Sequence, residues 1–240
     1  MWAISAHPNG PSTIENGPLA GKTLTKPADD QDYFGHQKSK VFPLLTKILD
    51  ANASLSVQVH PDDAYAAAHE APGELGKTEC WYVISAEPGS YLIYGHHAKT
   101  REELADMIHS GDWDHLLRKV PVKTGDFVYV PSGTIHALNK GIMVLETQQS
   151  SDTTYRLYDY DRTDAQGNKR ELHLQQSIDT TTVPSVIQSL IFKLSKKMMR
   201  RSRLRASANF TILLSRTHPI KWEVTSNAQS ALHLGFCFKG

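Results

Sequence analysis

Cysteine is nearly absent. The 240 residues hold two, Cys80 and Cys237. Two thiols make no disulfide framework, so a reducing, cytoplasmic setting is the expectation. Long apolar runs are also missing. No stretch approaches the roughly 20 apolar residues needed to cross a bilayer. The start, MWAISAHP, lacks the basic segment and apolar run of a secretory leader, so no membrane partner is expected. There is no phosphate-cradling glycine loop, because GELG at 73–76 has no Lys-Ser/Thr at P-loop spacing. A Gly-x-Ser-x-Gly elbow is absent too. Net charge is only +1. The Lys/Arg cluster at 193–205 has no interleaved aromatics, so it reads as an ill-structured tail and not as a nucleic-acid surface.

What remains is an ordinary globular composition, 40% hydrophobic and 21% charged. The length allows one large domain, or one domain with a smaller unit. The small net charge hides a split. From residue 180 onward there are ten Lys/Arg against one acid, Glu223, whereas residues 1–179 hold sixteen basic and twenty-four acidic residues. A body of one sign and a tail of the other suggest two stretches with different histories.

Short β segments dominate the body. Candidate strands are 2–5, 55–60, 80–84, 91–94, 120–123, 126–130, 135–138, 142–146 and 154–158, separated by Gly, Pro and Ser turns. Such spacing predicts an all-β sandwich or small barrel. Helices are expected at 62–70, 100–108 and 113–117, with Thr100 as a cap. The run 26–40 reads as loop with one helical turn. The apolar segment 41–49 reads as a hairpin partner of 55–60.

The stretch LSVQVHPDD at 55–63 organises the chain. Val57 and Val59 share one face of a strand, Gln58 and His60 the other. A buried amide and imidazole are costly unless something satisfies them, and a metal would. Taken singly, His60 and His136 are more often satisfied or surface histidines, and Glu79 a solvated strand end. As a set at strand ends they match zinc sites that keep a position open for substrate. Lys47 interrupts an apolar run, as a phosphate-binding cation can. Lys77 is a second candidate amine. Arg156 lies among tyrosines, either stacked on them or held to stabilise an anion. Glu146 is an acid/base candidate or a structural partner.

The segment GDFVYVPSGTIHAL at 125–138 looks like the second motif of the cupin jelly-roll families. Together with WAISAHPNGP at 2–11, FPLLTKILD at 42–50, GELGKTECWY at 73–82, SGDW at 110–113, LETQQSSDTTYRLYDYDR at 145–162 and RELH at 170–173, it resembles the type I mannose-6-phosphate isomerases in their short bacterial form. The resemblance implies a mainly β fold, a cupin-type jelly roll with a small helical insertion, as a catalytic domain over 1–183. It implies one Zn²⁺ per subunit on His60, Glu79 and His136, with Gln58 matching a fourth ligand. Arg156 and Lys77 fall on catalytic positions and Lys47 on a phosphate contact; Glu146 is grouped with Lys47 as a substrate-binding candidate from its position alone. The substrate is a small sugar phosphate, turned over through a cis-enediol by a protein expected to be monomeric. Lys77, Glu146 or a metal-bound water remain open as the base. At both ends the chain departs from the pattern. The family's usual start is missing before Trp2, and residues 184–240 form an aberrant basic tail where a smaller C-terminal β domain is expected. A truncated start and a partly out-of-frame tail are the expectation.

Overall fold

The computed structural model describes residues 1–25 and 42–186, and the backbone of strands at 191–193, 208–214, 220–227 and 231–237. The expected loop at 26–40 and most of the basic cluster at 193–205 lie outside the described residues.

Two antiparallel sheets form the body. The larger has six strands: β1 (Trp2–Ser5), β2 (Leu44–Ala51), β9 (Ile142–Gln149), β4 (Glu79–Ala86), β7 (Asp126–Val130) and β11 (Ile191–Lys193), in that spatial order. The smaller has five: β10 (Tyr155–Tyr158), β3 (Val57–Val59), β8 (His136–Leu138), β5 (Tyr91–His96) and β6 (Leu117–Pro121). In the tail, β12 (Ala208–Leu214), β13 (Ile220–Asn227) and β14 (Ala231–Cys237) make a separate three-stranded antiparallel sheet. Mainly β architecture with few helices is thus as expected.

Strand alternation explains the layers. On β8 and β5, Leu138, Leu92 and Tyr94 pack with Trp81, Val83, Val128, Val130 and Val144 of the larger sheet. These residues form the core between the sheets. The intervening Ala137 and Ile93, with Val57 and Val59, face the other way. There they meet α2 (Arg101–Ser110), α3 (Trp113–Leu116) and α4 (Leu174–Thr180) through Leu104, Ile108, Leu116 and Ile178. Both faces of the smaller sheet are therefore covered. A buried Leu there contributes about 2–5 kcal/mol against Ala.

Each helix has a local cause. Thr100 accepts the Glu103 amide at 3.2 Å, and Gly111 ends α2 in the left-handed region. In α1 (Asp63–His69), Asp62 accepts the Tyr65 amide at 2.8 Å. Arg101 donates to the carbonyls of Asp179 at 3.2 Å and Thr181 at 3.0 Å, so α2 caps the C-terminus of α4.

Two expectations need correction. The 41–49 segment is strand β2, but it pairs with β1 and β9, not with β3, which lies in the opposite sheet. The short link at 52–56 is a sheet-to-sheet corner, and nothing in its composition separates that from a hairpin. The helices also do not form a single insertion. They fall in three connections, and α4 is one the sequence pattern did not announce. His173 gives it no side-chain cap.

Candidate metal centre

The site lies between the two sheets. Glu79 opens β4 of the larger sheet, His60 follows β3, and His136 opens β8 of the smaller one. All three are buried, 1% exposed each. His60 Nε2 lies 3.2 Å from Glu79 Oε1, and His136 Nε2 lies 3.5 Å from Glu79 Oε2. One ligand atom from each falls within 4.8 Å of the others.

Backbone links fix these positions. Gly133 donates to the His60 carbonyl at 2.9 Å and accepts from the Thr182 amide at 2.9 Å. Its φ of 80° is left-handed, and a Cβ there would lie 2.4 Å from Thr182 Oγ1, so only glycine serves. Gly76 is tighter still. A Cβ there would meet the Asp62 carbonyl carbon and the Asp63 nitrogen at 2.5 Å. That close approach lets the Gly76 amide donate to Asp63 Oδ1 at 2.9 Å and the Lys77 amide to the Pro61 carbonyl at 3.0 Å. The strand carrying Glu79 is thereby laced to the turn after His60.

The protonation pattern suits metal ligation. His136 donates its Nδ1 hydrogen to the Thr134 carbonyl at 2.8 Å, which leaves the Nε2 lone pair facing Glu79. Burial, with help from Lys77, pushes the His60 imidazole down to about 3. Burial also lowers His136. Burial opposes ionisation of Glu79, but His60 and Lys77 beside it hold its carboxyl well below the ordinary range. Two neutral imidazoles and one carboxylate are the species that bind a divalent cation. Both ring nitrogens of His60 and Oε2 of Glu79 are buried without a hydrogen-bond partner among the described residues. Unsatisfied polar atoms of that kind are costly, and a cation would satisfy them. Gln58 places its amide 3.3 Å from His136 Nε2. With the carboxamide oxygen turned inward it can join the set.

A second group lies on the larger sheet. Trp2, Lys47, Glu146 and Trp81 are cross-strand neighbours on β1, β2, β9 and β4. The Lys47 ammonium sits 5.8 Å from the Trp2 ring centre and 3.1 Å from Glu146 Oε1, and donates to Gln148 Oε1. Trp81 donates its indole N–H to Glu146 Oε2 at 2.9 Å and meets the His136 ring edge-on at 5.3 Å. Burial and the nearby Glu79 raise the Glu146 carboxyl, against Lys47 and Lys77. Lys77 is buried, with Nζ 3.6 Å from Glu79 Oε1 and donating to Thr154 Oγ1 at 3.3 Å. Burial lowers its ammonium, against the pull of Glu79.

Arg156, on β10, is opposite Gln58 of β3. Its Nη1 donates to the Glu171 carbonyl at 2.8 Å. All seven expected site residues therefore lie on the two facing sheets or at their strand ends. Sequence reasoning missed Trp2 and Gln148. Trp2 was visible as an aromatic in the first strand, but its link to Lys47 depends on a pairing 45 residues apart.

His7, Glu74 and Asp152 form another cluster of ligand-type side chains. Here His7 Nδ1 accepts the Asn9 amide at 3.2 Å, so the ring proton is on Nε2, 3.9 Å from Asp152 Oδ1. A protonated nitrogen makes this a fastening between the first turn and the 150–154 loop.

The family model "Phosphomannose isomerase type I, catalytic domain" matches residues 1–91. The chain is 58% identical over 229 residues to the mannose-6-phosphate isomerase of Streptococcus mutans, covering 95% of this chain and 70% of that one. It is 60% identical over 186 residues to Bacillus subtilis mannose-6-phosphate isomerase ManA, and there spans 59% of the relative's length. Among solved structures, the Bacillus subtilis mannose 6-phosphate isomerase superposes with a TM-score of 0.82 at 48% identity, over 94% of this chain and 69% of that one. A zinc-bound mannose 6-phosphate isomerase shares the fold at TM-score 0.64 and 15% identity, over 93% of this chain and 74% of that one. The S. mutans match, at 229 of 240 residues, extends well into the basic tail, whereas the ManA match covers 77% of this chain. Together with the paired sheets and the buried His-Glu-His set, these likenesses settle the family: the chain belongs to the type I mannose-6-phosphate isomerases.

Proposed function

We propose that this chain is a zinc-dependent aldose–ketose isomerase, cytoplasmic and monomeric, that interconverts mannose 6-phosphate and fructose 6-phosphate through a cis-enediol. The observation that carries the reading is the buried His60–Glu79–His136 set with its unsatisfied ligand atoms. One Zn²⁺ there would act as a Lewis acid on the sugar oxygens.

The chain's own residues divide the remaining work. His60 and His136 present lone pairs, and Glu79 a charge, from opposite sheets. Lys77 carries the proton between C2 and C1. Burial has already weakened its hold on a proton, and a group titrating nearer neutrality exchanges protons more readily. Arg156 stabilises the enediolate charge as it develops. Lys47 and Glu146, a donor beside an acceptor, hold substrate oxygens. Residues 1–183 carry every residue of this reading, and β11 adds an edge strand to the larger sheet from beyond them. With Lys77 neutral to accept the proton, Lys47 and a divalent cation would outweigh Glu79 and Glu146 by one formal charge, leaving the site positive toward an anionic substrate.

The test is a coupled assay of mannose 6-phosphate conversion with and without a chelator. Turnover that chelation abolishes and zinc restores is expected. Turnover indifferent to chelation would sink the metal-dependent reading, and a folded, zinc-loaded chain that binds but does not convert the sugar would leave a binding protein in its place.

A further inference from the structure

We propose that Asp159 is a positioning residue for Arg156, acting through a two-arginine clamp on the segment that holds the Arg156 guanidinium. The inference rests on the catalytic reading of Arg156.

Asp159 lies just beyond β10 and its carboxylate is buried. Arg170 reaches it through two nitrogens, Nε at 2.7 Å to Oδ2 and Nη2 to Oδ1. Arg162 adds Nη2 to Oδ1, and its Nη1 donates to the Ser54 carbonyl at 2.7 Å. One carboxylate thus ties both sides of the 159–170 excursion together and anchors it to the corner before β3. A two-nitrogen guanidinium–carboxylate contact fixes orientation as well as distance.

Arg170 is followed directly by the residue that touches Arg156. The Glu171 carbonyl accepts from Arg156 Nη1 at 2.8 Å. The His173 amide donates to the Arg156 carbonyl at 2.8 Å, and His173 Nδ1 accepts the Arg156 amide at 3.2 Å. Residues 171–173 therefore grip Arg156 at its backbone and at one guanidinium nitrogen. Arg156 Nε is buried with no partner among the described residues, so the side chain is not fully committed to this grip.

The excursion needs holding. Tyr160 and Asp161 both have left-handed φ, 55° and 53°, which side chains resist. Such a conformation persists where its surroundings over-determine it. Without the clamp, the Glu171 carbonyl would be free to drift and Arg156 with it. Misplacement of a charge-stabilising group appears in turnover more than in substrate binding.

The experiment uses the full, zinc-loaded chain with mannose 6-phosphate. Asp159→Asn should lower kcat about tenfold with KM within twofold, and Arg170→Lys about threefold. The Arg156 guanidinium Nη hydrogens, one of which the Glu171 carbonyl accepts, should lose hydrogen-exchange protection by NMR in Asp159→Asn while core amides keep theirs. In an Arg156→Lys background, Asp159→Asn should add less than a twofold loss. A folded Asp159→Asn protein with kcat within twofold of wild type and unchanged Arg156 exchange would overturn the inference, as would a rise in KM alone. Arg156→Lys with wild-type kcat would sink the catalytic reading of Arg156 instead. The exchange measurement then decides the clamp by itself. Should Asp159→Asn not fold, Arg170→Lys carries the same readouts.

Discussion

The two sheets contribute to the site in opposite ways. On the larger sheet the charged groups answer one another along a single row: Trp2 over Lys47, Lys47 on Glu146, Glu146 on Trp81. On the smaller sheet His60 has no hydrogen-bond partner for either ring nitrogen among the described residues. The row on the larger sheet can stay buried unaided, whereas His60, and Glu79 at the start of β4, need something to arrive in the space between the sheets. A metal held by His60, Glu79 and His136 would also help to hold the sheets face to face, as binding to the folded state alone must stabilise it.

The comparison breaks most visibly at the ligands. His60→Ala or Glu79→Gln should lower zinc affinity by more than about a hundredfold, since even outer partners of such ligands are worth 10–100-fold. Metal content after dialysis measures it. The larger sheet's row should fail differently, in stability and not in metal content. Glu146→Gln leaves a buried ammonium short of its counter-ion and should cost about 3 kcal/mol. The double change Lys47→Met with Glu146→Leu should recover most of that in denaturant unfolding. A Glu146→Gln protein that lost zinc but not stability would erase the contrast.

Acid sharpens the difference on the smaller sheet's side. Hydrogen bonding from Arg170, then Arg162, holds the Asp159 carboxyl below its ordinary value against burial. A folded value below the unfolded one means that the stability it contributes is complete above about pH 4 and is lost as pH falls through the folded value. Thermal melts at pH 5 and pH 3 should therefore show a smaller acid loss in Asp159→Asn than in wild type. The smallest effect is expected at the row's outer end. Trp2→Leu should raise KM about two- to fivefold with kcat unchanged, consistent with the modest worth of a cation over an indole.

How much of this could be read in advance depended on distance along the chain. Alternation in 55–60 was enough to give the strand, its faces and His60 as a ligand candidate, because period-two patterning is local. Glu79 and His136 stood at strand boundaries marked by turn residues. The partner of β2 was not legible. Lys47 meets Glu146, 99 positions further along the chain, and short-range pattern favours the nearer strand. Asp159, Arg162 and Arg170 fell inside the motifs at 145–162 and 170–173 with no role of their own. Their convergence exists only once the 159–170 excursion folds back on β10. Helix α4 was missed because its start has no side-chain cap, so docking against β10 and α2 determines it more than any sequence signal does.

Gly76 touches no substrate and holds no charge, yet a Cβ there has nowhere to go: the obstacle is the backbone of Asp62 and Asp63, which cannot swing aside like a side chain. In a saturation library scored for growth on mannose, position 76 should therefore behave as all-or-none, with alanine as unacceptable as tryptophan, while the exposed Ala71 and Pro72 tolerate wide exchange. The distance between the strand of Glu79 and the turn of His60 is set there by the absence of one methyl group.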